Sequence, residues 1–341
     1  MKQWTMGVLS AAALILGAAS ASQAAGTLKR VTDRGELICG SSVGVAGFSI
    51  PDAKGRWNGF DTDICRALSA AIFNDAEKVK FIALSSKDRL VALQSGEVDV
   101  LPRTTTWTLS RNTGQGVTFT AVNYYDGQGF MVPKKLDVSS AVKLDGASIC
   151  VPQGTTSELN LADFFRRNGI KYEVVAFSTT EEALKAYEAG RCDVYTTDIS
   201  ALSSERLKFH DPDAHVILPD VISKEPLGPW VRSGDDAWFN LVRFTLFALI
   251  NAEELGVTQA NVKELAETST NPEIRRLLGK DGKFGEGLGV TNDWVVRIIS
   301  AVGNYGESFD RNLGSRSPIK LPRGPNALWT AGGLQYSPPF R

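Results

Sequence analysis

Between positions 60 and 73, apolar side chains at Ile64, Ala67, Leu68, Ala71 and Ile72 fall three or four residues apart. That period predicts a helix over Phe60–Phe73 with one stripe turned toward a sheet. Short apolar runs bounded by Gly, Pro and polar residues predict strands at 37–40, 79–83 and 98–101. The middle of the chain alternates in the same way. Strands are expected at 148–151, 172–176, 193–196 and 216–218, with helices at 157–168, 180–189 and 199–208 between them. A βαβαβαβ order implies a mainly parallel sheet. Two extended segments rich in Gly and Pro interrupt the pattern: Gly127-Gln128-Gly129-Phe130-Met131-Val132-Pro133 and Glu225-Pro226-Leu227-Gly228-Pro229-Trp230-Val231. They read as two parallel connecting strands between two lobes, a geometry that permits hinge closure. After Asp235 the pattern turns helical, including 238–250 and 291–302, and 311–341 shows no period.

The pattern also repeats itself. Ser86 to Val100 and Thr180 to Val194 match at a constant offset of 94, pairing Leu90 with Leu184, Leu93 with Tyr187, Gly96 with Gly190, and Asp99-Val100 with Asp193-Val194. Each copy reads as a helix opened by Ser or Thr, closed by Gly and followed by an apolar strand. The sequels differ. The first strand runs into Arg103-Thr104-Thr105-Thr106-Trp107-Thr108-Leu109-Ser110-Arg111, the second into Thr196-Thr197-Asp198. Ligands in open α/β sheets sit beyond the carboxyl ends of strands. Two such lobes facing each other offer a cation and hydroxyls on one side and an anion on the other, complementary to a zwitterion such as a free amino acid.

At 341 residues and 43% hydrophobic the chain can bury two cores. Its start, with Lys2, an apolar run from Met6 to Gly17 and then Ser22-Gln23-Ala24-Ala25, fits a cleaved signal peptide over 1–25 and an exported, extracytoplasmic mature protein. That run is too short to span a bilayer. Without Lys2 the balance is 36 basic against 38 acidic residues, so charge gives no case for nucleic acid or anionic lipid as partner. Four cysteines allow three pairings. Element order favours Cys39 with Cys65, joining the first strand to the next helix, and Cys150 with Cys192, joining neighbouring strands.

Arg111 is the first candidate for holding a carboxylate, because a guanidinium fork matches it bidentately; the alternative is a surface arginine paired locally. Thr104 and Thr106 stand two apart and, on extended backbone, face one side. Asp198 suits an ammonium group, or else caps the following helix. Thr155 and Thr156, in Gly154-Thr155-Thr156-Ser157-Glu158, open a helix whose free N–H groups can meet a carboxylate. Phe48 and Trp107 are candidate apolar walls. His210 and His215 share a polar loop with Asp211 and Asp213 and need no metal to explain them; Gly285-Glu286-Gly287-Leu288-Gly289 lacks the strand and helix of a dinucleotide loop. No acid–base pair marks an enzyme, and no cofactor is expected.

With these residues the chain resembles the periplasmic solute-binding proteins of polar-amino-acid ABC transporters. It is similar in particular to their general L-amino-acid-binding branch. The resemblance rests on Gly59-Phe60-Asp61-Thr62-Asp63-Ile64-Cys65, Gln94-Ser95-Gly96-Glu97-Val98-Asp99-Val100, Thr104 to Arg111, Gln153-Gly154-Thr155-Thr156, Glu225-Pro226-Leu227-Gly228 and Val302-Gly303-Asn304-Tyr305-Gly306. It implies an α/β, two-lobed type II binding-protein fold with two crossover strands as hinge, lobe 1 over 26–129, lobe 2 over 130–226, and a return to lobe 1 with a helical extension over 227–341. It implies a monomer that passes its ligand to permease subunits. Arg111 with Thr106, aided by Thr155 and Thr156, would take the α-carboxylate, and Asp198 with Thr104 the ammonium. Ser86 and Arg89 match positions that contact ligand side chains in glutamate- and aspartate-binding relatives. Ser41-Ser42-Val43-Gly44 lacks the arginine those relatives use, as 178–180 lacks their histidine, so a broad polar or acidic preference is expected. The rivals are an exported dehydratase acting on prephenate-like substrates and an amino acid sensor module.

Overall fold

A computed structural model describes residues 26–42 and 44–341; the expected signal peptide, 1–25, lies outside the described residues. The chain opens with α1 (Thr27–Arg34), β1 (Leu37–Ser42), a small hairpin of β2 (Ile50–Pro51) and β3 (Trp57–Asn58), and α2 (Phe60–Phe73). There follow β4 (Val79–Leu84), α3 (Arg89–Ser95), β5 (Leu101–Thr106), α4 (Leu109–Gly114), β6 (Val117–Phe119) and β7 (Tyr124–Asp126). The first crossing is β8 (Gln128–Pro133). Beyond it lie β9 (Ala147–Pro152), α5 (Thr156–Asn168), β10 (Tyr172–Phe177), α6 (Thr180–Glu188), β11 (Val194–Asp198), α7 (Ile199–Arg206) and β12 (His215–Ile217). The return strand β13 (Glu225–Arg232) leads to α8 (Asp236–Glu254), α9 (Val262–Thr268), α10 (Pro272–Leu277), α11 (Phe284–Gly287), α12 (Trp294–Val302) and α13 (Tyr305–Asn312).

The second lobe is a five-stranded sheet in the order β10-β9-β11-β8-β12. Strands β10, β9 and β11 are parallel, and β8 is inserted against them, antiparallel to both β11 and β12. The crossing strand therefore joins the sheet instead of spanning open space. The first lobe pairs β1 with β4 in parallel, and β13 with β5, β6 and β7. The two connections meet at β7 and β13, where Glu225 pairs with Asp126 and Leu227 with Tyr124 in antiparallel register. The expectation of parallel connections is corrected here: the chain leaves along one and returns along the other, so they run in opposite directions.

The 94-residue echo has a physical cause. Gly96 and Gly190 end their helices at φ 86° and 73°, where a Cβ would be strained. Three residues later an aspartate ties the turn to the first strand of its own lobe. Asp99 accepts from Ile38 N at 2.8 Å and from Arg34, while its N–H donates to Ile38 O at 2.8 Å. Asp193 accepts from Ser148 N at 2.9 Å and Ser148 Oγ at 2.6 Å, and its N–H donates to Ser148 O at 2.9 Å. The helices begin later than expected at one copy: α3 starts at Arg89, since Ser86 stays in the turn, and α6 is opened by Thr179 in a capping box with Glu182.

Strand β5 begins at Leu101, not at Val98, because 96–100 is consumed by that turn. It is also irregular. Four steps from Pro102 to Thr106 lie opposite only two from Pro229 to Leu227, and within the bulge Thr104 adopts φ 35°. A β-branched residue there costs of order 1–3 kcal/mol. Its neighbours hold it. Asp61 accepts from Thr104 N at 3.0 Å, Trp230 Nε1 donates to Thr105 O at 3.0 Å, and Arg103 Nε donates to Leu84 O at 2.8 Å. Simple alternation therefore does not align Thr104 with Thr106; the bulge does.

Each lobe has its own core. Leu37, Ile64, Leu68, Val231, Trp238 and Leu241 pack between β1 and helices α2 and α8, and Phe130, Ile149, Val151, Leu161 and Phe165 fill the second lobe. Disulfides Cys39–Cys65 and Cys150–Cys192 close loops of 26 and 42 residues, one in each lobe. Helices α12 and α13 pack on α2 and α8, and Asp63 accepts from Ser308, Arg311 and Asn312 of α13. The tail then reaches the hinge. Asn326 Oδ1 accepts from Tyr125 N at 2.6 Å and Asn326 Nδ2 donates to Tyr125 O at 3.1 Å, so one amide copies a strand partner for β7.

Candidate ligand-binding site

Strand ends and helix starts from both lobes converge on one cleft. Ser86, Arg89, Arg103, Thr104 and Thr106 line it from the first lobe, and Thr155, Thr156, Ser157, Thr180, Thr197 and Asp198 from the second, with Val45, Pro152 and Ala201 as apolar patches. The lobes are in contact across it. Arg111 Nη2 lies 3.5 Å from Gly154 O, Thr106 Oγ1 lies 3.3 Å from Thr156 Oγ1, and Lys208 Nζ donates to Gly44 O at 2.9 Å. Gly154, at φ 70°, approaches so closely that a Cβ would stand 3.2 Å from Lys87 Cα.

The cationic wall holds three buried arginines. Arg111 sits in α4, whose first turn is capped by Thr108, and Nη1 donates to Thr106 O at 2.9 Å. It stands behind Thr106 rather than among the lining side chains, with its fork turned toward the second lobe. Arg103 is spent on the fold, donating to Leu84 O and, at 3.4 Å, to Ser86 Oγ. Burial lowers it to about 10, against the pull of Asp61. Arg89, 4% exposed, makes only a 3.5 Å contact to Thr104 O, and its Nε has no partner among the described residues. Burial, then the charges of Arg103 and Arg111, push its guanidinium well down, while Asp198 and Glu225 oppose the shift. A buried cation with unfilled donors is costly, and an entering anion removes that cost.

The anionic wall mirrors it. Asp198 ends β11 and precedes α7, but it makes no side-chain cap and accepts no hydrogen bond from any described residue. Burial, reinforced by Asp126 and Glu225, raises its pKa well above the ordinary carboxylate range, and Arg89 and Arg111 pull it back. The capping role is thus unfilled, and the carboxylate stands open on the cleft. Asp126, raised by burial, accepts from Ser200 and Gly127 N. Asp61, raised to about 7 by burial, is shared between Asn123 Nδ2 and Thr104 N.

Thr155 caps α5, accepting from Glu158 N at 3.3 Å and donating to Pro152 O at 2.8 Å, so its hydroxyl is occupied. What it leaves at the cleft is the first turn of a thirteen-residue helix, whose N–H groups lack intrahelical partners. Phe48 is not a wall. It is wholly buried, edge-on to Phe60 and Tyr124, because the loop carrying it folds back under α2. Trp107 is not one either; half exposed, it stacks on Phe119 at 5.0 Å outside the cleft. His215 packs on Phe209 and Tyr187, with Tyr187 Oη 2.7 Å from Nδ1.

One central residue escaped the sequence reading. Glu225, 1% exposed at the start of β13, accepts from Thr106 Oγ1 at 2.6 Å, Thr156 Oγ1 at 2.8 Å, Asn160 Nδ2 at 2.7 Å and Ser223 Oγ at 2.5 Å. The Glu-Pro-Leu-Gly segment was legible as a crossing; that its one charged residue would turn inward was not. No described helix is long and apolar enough to cross a membrane.

A family model of bacterial extracellular solute-binding proteins, family 3, matches residues 37–261. The chain is 56% identical over 335 residues to the general L-amino acid-binding periplasmic protein AapJ of Rhizobium johnstonii, covering 98% of this chain and 97% of that one. It is 53% identical, also over 335 residues, to the glutamate/glutamine/aspartate/asparagine-binding protein BztA of Rhodobacter capsulatus, with 98% of each covered. The structure superposes with a TM-score of 0.91 on an ABC transporter periplasmic binding protein from Brucella ovis with glutathione bound, 57% identical, covering 93% of this chain and all of that one. None of the three is described as an enzyme. The family match ends at 261, so α9 to α13 and the tail at the hinge lie beyond it, whereas the three close relatives span them.

Proposed function

Because the chain belongs to the bacterial extracellular solute-binding proteins of family 3, we propose that it binds L-amino acids in the periplasm and delivers them to the permease of an ABC transporter. The observation that carries this reading is the unpartnered Asp198 carboxylate sharing one cleft with Arg89, with Arg111 held behind Thr106. Opposite charges placed there fit the two ends of a zwitterion. Arg111 and the first turn of α5 take the α-carboxylate, and Asp198 with the oxygens of Thr104 takes the ammonium. Arg89 and Ser86 face the side chain and favour polar or acidic ones. Glutathione, bound by the Brucella relative, carries the same amino acid head group at its γ-glutamyl end.

The working molecule is a monomer, freed of residues 1–25, with lobes 26–129 and 130–226 and the return segment 227–341 completing the first. The lobes swing about β7 and β13, so ligand touching both shifts an open-to-closed equilibrium. A micromolar dissociation constant corresponds to about 8.2 kcal/mol, within reach of a few desolvated charge contacts. Titration calorimetry against a panel of L-amino acids tests the reading directly. Arg111→Ala is expected to abolish binding, and retention of near-native affinity would remove the carboxylate assignment.

A further inference from the structure

Lys208 stands in the turn after α7, and its backbone is fixed on both sides. Its N–H donates to Glu205 O at 3.0 Å, and the next residue, Phe209, is buried against Tyr187 and His215. The ammonium bridges two partners. Nζ lies 2.8 Å from Glu205 Oε2 in its own lobe and donates to Gly44 O of the first lobe at 2.9 Å. Glu205 is 1% exposed, and its second oxygen, Oε1, has no partner among the described residues. A carboxylate taken out of water is costly unless a cation stays beside it, so Glu205 holds the Lys208 side chain in place. The receiving loop is fixed as well. Ser42 Oγ accepts from Gly44 N at 3.4 Å and from Val45 N at 3.2 Å, it lies 2.6 Å from Ser49 Oγ, and Gly44 adopts φ 124°, a conformation suited to glycine.

We infer that Lys208 is a positioning residue: held by Glu205, its ammonium latches the second lobe onto the Gly44 carbonyl of the first and retains the ligand without touching it. The inference rests on the amino acid reading above and assigns no contact to the ligand, since neither Lys208 nor Gly44 is among the residues lining the cleft. Each end of the latch adjoins one that is. Asp198 and Ala201 line the cleft at the start of α7 and Lys208 follows its end, while Val45 lines the cleft next to Gly44. When the lobes part, the ammonium and the carbonyl return to water, so the bond belongs to the closed form alone. A contact made only there slows escape, leaves entry unchanged, and multiplies the affinity of every ligand by one factor. A lysine that merely paired with Glu205 beyond a helix end would move the melting temperature and leave the release rate alone.

The experiment measures association and release of L-glutamate and L-glutamine by stopped flow on the full mature chain, at about 0.15 M salt to screen long-range attraction. Lys208→Met alone would strand the Glu205 carboxylate, so it is combined with Glu205→Gln. In the double variant the release rate of both ligands should rise by one shared factor, about three- to tenfold for a charge-assisted bond that is partly exposed. Association should stay within about twofold of wild type. Glu205→Gln alone, which frees the lysine but keeps its charge, should raise release less than the double variant does. Unchanged release, a loss in association only, or a double variant no different from Glu205→Gln would overturn the inference. So would an effect confined to L-glutamate, which would make Lys208 a ligand contact. If no L-amino acid binds the wild-type protein, it is the functional reading that fails, and the latch with it.

Discussion

Replacing Asp198 by asparagine separates stability from binding with opposite signs. The exchange is nearly isosteric, and the carboxylate accepts no hydrogen bond from a described residue, so nothing in the fold is broken. What is removed is a charge that burial disfavours. A carboxyl whose folded pKa lies above its unfolded one binds more protons when folded, so its contribution to stability falls as pH rises from the unfolded value through the folded one. Asp198 is such a group, and at neutral pH its ionisation costs the empty protein stability. Asp198→Asn should therefore melt no lower than wild type, and higher at pH 7.5. Affinity should move the other way. Loss of a charge-assisted bond to a desolvated ammonium removes about 1.5–3 kcal/mol, or roughly ten- to 150-fold. The same shift predicts a proton. An arriving ammonium lowers the Asp198 pKa, so binding below the unliganded value releases a proton and tightens as pH rises. Calorimetry in buffers of different ionisation enthalpy reads this release, which should vanish in the variant. A variant that melts lower and binds normally would refute the reasoning, since Asp198 would then be a structural cap.

Three further outcomes are expected. In the chain-entropy account, opening the 26- and 42-residue disulfide loops costs about 3.5 and 4 kcal/mol, so Cys150→Ala with Cys192→Ala should lower the denaturant midpoint slightly more than Cys39→Ala with Cys65→Ala; equal or absent losses in chemical denaturation contradict this. Asp99→Ala strands the Ile38 N–H and frees Arg34, and should cost about 1–3 kcal/mol while leaving ligand selectivity intact. Asn326→Ala, which leaves Tyr125 N and O unpaired beside the hinge, should raise amide exchange at Tyr125 without a change at Asp198; unaltered exchange would show that the tail does not brace β7.

Much of this protein could be read from residue order because much of it is local. The stripe from Ile64 to Ile72 needs only a 3.6-residue period to become α2, and the helix is found over Phe60–Phe73. The echo at offset 94 needs only a glycine that turns left-handed and an aspartate that finds the neighbouring strand, and both copies do so. Thr106 and Asp198 each close the strand that follows one copy of the echo, which chain order put at strand tips; that the two tips face one cleft from separate sheets was not in chain order. The tertiary structure decided what depends on distant partners. Thr104 is left-handed because Asp61 and Trp230, 43 and 126 positions away, hold the bulge around it. Phe48 became core because Phe60 and Tyr124 enclose it, and β8 became an inner strand because β11 and β12 close on either side. Glu225 gained its place from donors contributed by both lobes. A side chain's local pattern tells which face of its own element it occupies; what lies opposite that face is set by contacts between segments far apart in the chain.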